Sequence, residues 1–261
     1  MKPFKEFPSQ SKSQIRYVLT DIDDTLTVHG RLPSAAFSAM EKLQQNNIHV
    51  LPVTGRPAGW CDHIARMWPV AGLVGENGAF YFHYDLEKKK MIRRYFKSEE
   101  ERRQDQKKLN RLKEEILKQV PGCQVSADQA YREADLAIDF CEDVPRLSAE
   151  AIKNIVQLFK QAGAEAKESS IHVNGWFGNY DKLTMSQILF DEVFNLSLDQ
   201  FKRQVLYIGD SPNDCPMFDF FPHSVGVANI LEFEGRLESE PAWITTKIGG
   251  YGFAEMADIL V

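Results

Sequence analysis

Residues 15–20 read Ile-Arg-Tyr-Val-Leu-Thr, and residues 21–25, which follow directly, read Asp-Ile-Asp-Asp-Thr. The first run has the length and the β-rich content of a buried strand, so it predicts a strand that ends in an acidic loop. A second such strand, residues 204–208, ends in Gly-Asp-Ser-Pro-Asn-Asp at residues 209–214, and a third, residues 48–53, ends in Thr-Gly-Arg-Pro at residues 54–57. Because open parallel sheets bind ligands beyond the carboxyl ends of their strands, these loops are the first candidates for a functional site.

Helical patterns lie between the strands of both ends of the chain. Phe37, Met40 and Leu43 share one helical face, for example, and follow a candidate N-cap at Ser34. The alternation of strand and helix predicts an α/β fold with a Rossmann-like, doubly wound parallel sheet. After about residue 82 the pattern changes to α+β, and it returns to α/β near residue 181. We therefore expect a core domain of residues 1–82 and 181–261, with residues 83–180 as an inserted domain.

The acidic loops indicate a metal site. If their strands are neighbours, the carboxylates of Asp21, Asp23, Asp210 and Asp214 converge, and they repel one another unless a cation lies between them. A hard divalent ion such as Mg²⁺ is the natural partner of oxygen ligands. The simpler alternative is that aspartate ends strands because it is a good turn residue. A helix-loop-helix calcium site fits less well, because the loop lacks the expected Gly and the distal Glu.

Two further features indicate an anion next to this metal site. The Thr54 hydroxyl and the backbone freed by Gly55 can bind an anionic oxygen at a strand-to-helix turn. Lys182 stands where the chain re-enters the α/β pattern and supplies a positive charge. Each feature alone is weak, since Thr-Gly is also common in turns and most lysines are solvated.

The order of these motifs along the chain resembles the haloacid dehalogenase-like superfamily. Asp21-x-Asp23-x-Thr25, Thr54-Gly-Arg, Lys182 and Gly209-Asp210-x-x-Asn213-Asp214 match its four signature motifs within residues 17–215. The insertion resembles the large α/β cap of the Cof-type branch, which includes sugar-phosphate phosphatases and phosphomannomutases. Residues 75–78, Gly-Glu-Asn-Gly, resemble a segment that precedes that cap. Asp24 departs from the pattern, since many members have Gly there.

The resemblance implies a role for each motif. Asp21 would be the nucleophile that forms an aspartyl phosphate, and Asp23 would protonate the leaving alcohol and later deprotonate water. Thr54 and Lys182 would bind the phosphoryl oxygens. Mg²⁺ would be bound by the Asp21 carboxylate, the Asp23 carbonyl and Asp210, with Asp214 at the metal as well. Further substrate contacts are expected from four residues of the core motifs: Gly55, Arg56, Asn77 and Asn213.

The inserted domain is expected to select the substrate. Trp176 beside His172 and Asn174 is typical of a sugar-binding surface, in which an apolar ring is flanked by polar groups. Arg132 is a further candidate contact, as are Asp135 and Asp139. The alternatives are that Trp176 belongs to the hydrophobic core and that His172 is only a solvated strand residue.

Composition excludes several other classes of protein. Among 261 residues, 43% are hydrophobic and 26% charged, and the net charge of −6 does not suggest a nucleic-acid binder. No apolar run is long enough to span a membrane, and the N-terminal residues lack the apolar segment of a secretion signal. Four scattered cysteines without CxxC spacing favour neither zinc nor a disulfide framework. We expect a cytoplasmic monomer or homodimer with a small phosphorylated substrate.

The sequence therefore predicts a Mg²⁺-dependent phosphatase, and most specifically a sugar-phosphate phosphatase. One alternative is a phosphomutase or phosphotransferase, in which a second hydroxyl replaces water as the acceptor of the phosphoryl group. Another is a sugar-phosphate sensor without catalytic activity, although the complete set of Asp21, Asp23 and Lys182 argues against it.

Overall fold

The computed structural model describes all of residues 1–261. Its strands are β1 (Lys2–Pro3), β2 (Tyr17–Thr20), β3 (His49–Pro52), β4 (Leu73–Gly75), β5 (Phe80–Asp85), β6 (Lys90–Tyr95), β7 (Gln124–Val125), β8 (Leu136–Asp139), β9 (Glu165–Glu168), β10 (His172–Trp176), β11 (Val205–Gly209), β12 (Ser224–Gly226) and β13 (Trp243–Ile244). Its α-helices are α1 (Ser9–Lys12), α2 (Ser34–Gln45), α3 (Ala58–Met67), α4 (Glu99–Gln119), α5 (Ala149–Gln161), α6 (Lys182–Phe194), α7 (Leu198–Phe201), α8 (Cys215–Phe220) and α9 (Gly249–Leu260).

Six parallel strands form the central sheet in the order β1-β13-β12-β11-β2-β3. Strand β2 lies between β11 and β3, with Thr20 paired to Ile208 on one side and to Pro52 on the other. This register brings the three loops singled out in the sequence to one edge of the sheet.

Helices cover both faces of the central sheet. Alternate residues of a strand point to opposite faces, so Val18 and Val50 pack beneath α2, α3 and α9. Leu19 and Leu51 pack instead against α6, α7 and α8. The predicted doubly wound α/β core is therefore confirmed.

A separate antiparallel sheet, in the order β7-β8-β10-β9, forms the inserted unit together with α4 and α5. We call this unit, residues 97–180, the cap. Ile138 and Val173 point into a hydrophobic cluster with the two helices. The alternate residues of β10, His172 and Asn174, point the other way and line a cavity together with core residues. Strand alternation thus places the polar face of the cap over the core.

The hairpin β5-β6 falls within the predicted insertion but packs against the core. Strand β5 pairs with β4, and Phe80 and Phe82 belong to the hydrophobic cluster beneath α2 and α3. Strand β4 in turn meets the end of β3 through a parallel bridge between Val53 and Val74. None of the helices has the length and apolar character required to cross a membrane.

Candidate active site

Asp21 lies at the centre of the site, directly after β2. It is 4% exposed, and its Oδ1 accepts a hydrogen bond of 2.7 Å from Lys182 Nζ. Lys182 is the first residue of α6, whose N-terminus is capped by the Asp181 side chain. Lys182, which the sequence indicated as a positive charge beside the acidic loops, thus pairs with the first of them.

The second acidic loop lies beside the first because β11 is the neighbour of β2. Asp210 is 1% exposed, and its two oxygens accept hydrogen bonds from the Thr25 hydroxyl and from Asn229 Nδ2. Sequence reasoning missed Asn229, which follows β12 and has no motif to mark it.

Asp214 is fully enclosed by donors. Its carboxylate accepts from the backbone N–H groups of Asp210 and Ser211, from the Tyr207 hydroxyl and from Lys182 Nζ. Gly209 is required nearby, because a Cβ there would lie 2.3 Å from Asp214 Oδ2. Asp214 therefore shapes the loop and positions Lys182, which adds a structural role to its predicted role at the metal.

The donor set fits a divalent cation. Asp21, Asp210 and Asp214 each offer a carboxylate oxygen, and these oxygens lie within 4.8 Å of one another. Lys182 is the only cation paired with any of the three. Burial, opposed in part by Lys182, raises the pKa of Asp21 to about 7, and burial together with Asp21 raises that of Asp210 well above its usual range. A further positive charge would relieve this repulsion.

Asp23 contacts Arg56 rather than joining this cluster. Its Oδ1 accepts from Arg56 Nε and Nη2 at 3.0 and 2.8 Å, and the cluster of converging carboxylates does not include it. The carboxylate is therefore not placed as a metal ligand. Only its backbone carbonyl remains a candidate, as the family resemblance implies.

Arg56 joins the core to the cap in this closed arrangement. Besides Asp23, its guanidinium donates to Glu142 Oε1 at 2.8 Å and to Asp128 Oδ2 at 3.4 Å, and both of these acidic residues belong to the cap. Arg56 is only 3% exposed. The predicted substrate-binding arginine is therefore occupied by protein carboxylates here, an arrangement that we call the Arg56 latch.

The expected anion-binding groups follow β3, β4 and β11. Thr54 is fully buried, and its hydroxyl oxygen accepts from the Arg56 N–H. Asn77 has left-handed backbone angles and packs its amide against Gly55. Its Nδ2 is buried without a hydrogen-bond partner, so a donor is available for an anionic oxygen. Asn213 Oδ1 lies 3.4 Å from Lys182 Nζ.

The cap contributes a dense polar surface above Asp21. The Arg132 side chain is fully buried and donates to Asp128, to Asp135 and to the Gly55 carbonyl. Asn174 donates to Asp135, and His172 Nε2 lies 2.8 Å from Glu142 Oε2. Arg132, His172 and Asn174 line, with Asp21 and Asp23, a cavity of about 10 Å³. That is about the space of one water molecule, so the cavity has no room for a larger ligand in this arrangement of core and cap.

Two cap residues have roles that differ from those expected. Trp176 is 2% exposed, stacks on Tyr180 and donates its indole N–H to the Tyr180 carbonyl. The expectation that it presents a ring face to a sugar is therefore wrong, and the alternative of a packed core residue is correct. Asp139 accepts from the backbone N–H groups of the loop that carries Glu142.

Glu76 forms a second contact between the core and the cap. Its buried carboxylate accepts from the backbone N–H groups of Ala58, Glu133, Ala134 and Asp135. Burial and the nearby Asp135 carboxylate raise the pKa of Glu76 to about 8, against the opposing effect of Arg132. This contact explains why an acidic residue belongs in the Gly-Glu-Asn-Gly segment.

The Arg56 latch predicts a specific pH dependence of stability. Burial would raise the pKa of Glu142, but the close His172 imidazole and the hydrogen-bonded Arg56 guanidinium outweigh it and lower the pKa to about 2. A carboxylate whose pKa is lowered on folding stabilises the folded protein at every pH above the carboxylate's pKa in the unfolded chain, here 4.5. This stabilisation is lost as the pH falls from 4.5 towards 2. After allowance for solvent screening, we expect the ionised Glu142 carboxylate to contribute about 1 kcal/mol to the free energy of unfolding at neutral pH.

The measurement is the difference in unfolding free energy between wild type and Glu142→Gln from pH 6 down to pH 2.5. We expect it to shrink with acidification, whereas Glu41→Gln, at an exposed residue in the interior of α2, should show a small and constant difference. A difference for Glu142→Gln that does not vary with pH would contradict this account of the latch.

The parallel core, the inserted cap and the carboxylates at adjacent strand ends together define a haloacid dehalogenase-like fold. Residues 18–135 match the family model described as haloacid dehalogenase-like hydrolase. This match covers somewhat less than half of the chain and confirms the predicted resemblance to that superfamily. No match was found among curated proteins.

Similar solved structures share this fold over nearly the whole chain. The Thermoplasma acidophilum protein 0175 is 19% identical with a TM-score of 0.69, and the match covers 94% of this chain and 98% of that one. A sucrose-phosphatase from Synechocystis, solved with sucrose and phosphate, is 14% identical with a TM-score of 0.63, and the match covers 95% of this chain and 98% of that one. A subclass IIB sugar phosphatase is 14% identical with a TM-score of 0.59, covering 94% and 96%.

Proposed function

We propose that the protein is a Mg²⁺-dependent phosphatase that hydrolyses a small phosphorylated metabolite, most specifically a sugar phosphate. The observation that carries this proposal is the contact between Lys182 Nζ and Asp21 within a buried cluster of three carboxylates. A nucleophilic carboxylate, a cation site and an ammonium group are what phosphoryl transfer requires, since it depends on positioning and charge neutralisation. The two similar sugar phosphatases support the substrate class.

Asp21, Asp210 and Asp214 are the residues that would bind the metal. Mg²⁺, when bound, would neutralise phosphoryl oxygens that the Asp21 carboxylate otherwise repels. Protein groups would contribute to the same neutralisation. Lys182 donates to Asp21, and the unpartnered Asn77 amide and the Thr54 hydroxyl would donate to phosphoryl oxygens.

The reaction would proceed in two displacements at phosphorus. An Asp21 oxygen attacks phosphorus while the ester P–O bond breaks, and Asp23 passes a proton to the departing alcohol oxygen. Water then attacks phosphorus, gives a proton to Asp23 and releases Asp21 and inorganic phosphate. Asp23 can serve both steps because Arg56 contacts only its Oδ1, so its Oδ2 can face the substrate.

The test is release of inorganic phosphate from a panel of sugar phosphates, glycerol 3-phosphate and 4-nitrophenyl phosphate. We expect release with added Mg²⁺, less than about 1% of it after chelation, and recovery when Mg²⁺ is restored. Activity that chelation leaves unchanged would contradict the metal dependence. Isomerised sugar phosphate without free phosphate would identify a phosphomutase instead.

A further inference from the structure

An aromatic groove of about 480 Å³ lies between α3 and the loop of residues 22–32 that follows β2, and the cap contributes one residue to it. Three aromatic rings line it, from Trp60 and Trp68 of the core and from Tyr131 of the cap. Trp60 is 43% exposed and Tyr131 is 59% exposed, so both rings offer free surface. Large exposed aromatic residues grouped in one concave surface are typical of a binding site.

The groove is connected to the catalytic residues through a shared wall. Asp23 and Arg56 line both this groove and the small polar cavity that contains Asp21. The Arg56 guanidinium also lies over the Trp60 ring, 4.5 Å from its centroid. A second large cavity, of about 400 Å³, reaches Asp210 but neither Asp21 nor Asp23.

The position of Asp23 determines which part of a substrate the groove can receive. Asp23 must reach the leaving oxygen, so the group attached to that oxygen has to lie on the Asp23 side of the phosphate. The polar cavity, at about 10 Å³, has no room for it while the cap is closed. The groove has the volume of an ordinary ligand pocket and begins at Asp23.

The chemistry of the groove favours a ring with one apolar face. Trp60 and Tyr131 provide flat surfaces, and Ile22 and Leu32 add aliphatic contacts. His63 is exposed at the groove and is free to meet a hydroxyl group. Sugar rings have this dual character, since their C–H faces pack on aromatic rings while their hydroxyl edges remain hydrated.

We propose that Trp60 and Tyr131 form the platform on which the sugar ring of the leaving group packs. The proposal rests on the phosphatase function proposed above and assigns to Trp60 the role that the sequence suggested for Trp176. Gly59 supports the arrangement, because a Cβ at this position would lie 2.9 Å from Tyr131 Cβ. Tyr131 of the cap can therefore approach α3 this closely because the second residue of the helix is a glycine.

The experiment compares a ring-bearing and a ring-free substrate, the best hexose phosphate of the panel and glycerol 3-phosphate. In wild type we expect the higher kcat/KM for the hexose phosphate. Trp60→Ala should lower this selectivity about tenfold, chiefly through KM, and Trp60→Phe should restore most of it. Met67→Ala is the matched control, because Met67 is exposed on the same helix and does not line the groove.

Each result bears on a different claim. No phosphate release from any substrate, 4-nitrophenyl phosphate included, would overturn the proposed function and with it this inference. Release without a preference for hexose phosphates, or with a preference that Trp60→Ala leaves intact, would overturn the platform and leave the phosphatase function standing. Lower selectivity in Trp60→Ala and in Tyr131→Ala, with Met67→Ala unchanged, would support it.

Discussion

Asp21→Asn is expected to abolish turnover while the protein remains folded. The amide cannot attack phosphorus, so we expect kcat to fall by about 10³-fold or more. The fold should tolerate the change, because burial and neighbouring carboxylates already raise the pKa of Asp21 to about 7 and a neutral group relieves that repulsion. Lys182 keeps its contact with Asp214. The measurements are steady-state phosphate release and the thermal midpoint of unfolding.

Asp24→Asn is the matched control for this variant. Asp24 lies three residues after Asp21 in the same loop and has a left-handed φ of 53°, which Asn tolerates well. This backbone conformation also gives a physical reason for the Gly found at this position in many members of the family. We expect Asp24→Asn to keep turnover within severalfold of wild type. Turnover of more than a few percent in Asp21→Asn would contradict the assignment of the nucleophile.

Asp210→Asn is expected to remove the high-affinity binding of Mg²⁺. One of the three converging carboxylates is lost, whereas the amide can still meet Thr25 and Asn229. We expect the Kd for Mg²⁺ to rise about 100-fold, measured by calorimetric titration, together with a large fall in activity.

Without metal, the thermal midpoint of Asp210→Asn should equal or exceed that of wild type. The reason is that burial and Asp21 raise the pKa of Asp210 well above its ordinary value, so its ionised form is costly there. Asp219→Asn, at an exposed residue of α8, provides the control with unchanged Mg²⁺ affinity. Equal Mg²⁺ affinity in Asp210→Asn and wild type would contradict the proposed metal site.

The core of the fold and of the site could be predicted because both follow from local patterns. A short apolar run predicts a buried strand, and the parallel sheet then requires that the residues after β2, β3 and β11 meet at one edge. Asp21, Thr54 and Asp210 are close for this reason alone. Only the order of motifs in the family resemblance singles out Lys182, since nothing in its own neighbourhood distinguishes it from other lysines.

Contacts between the core and the cap could not be predicted in the same way. The Arg56 latch joins Arg56 to Asp23, which lies 33 positions earlier in the chain, and to Glu142, which lies 86 positions later. No periodicity of the sequence specifies such pairings. The four donors to Glu76 are backbone N–H groups, and almost any residue type would supply them, so the sequence does not reveal these contacts. The expectation for Trp176 is wrong because the sequence pattern of a tryptophan among polar strand residues is the same in two cases. The indole can face solvent, or it can pack in the interior, as it does here on Tyr180.

The central claim is that Asp21 carries the phosphoryl group between two displacements. The most direct test is the stereochemical course of hydrolysis at a phosphorus made chiral with oxygen isotopes. Each in-line displacement inverts phosphorus, so the path through Asp21 predicts overall retention of configuration. Inversion would show that water attacks the substrate directly and would contradict the account.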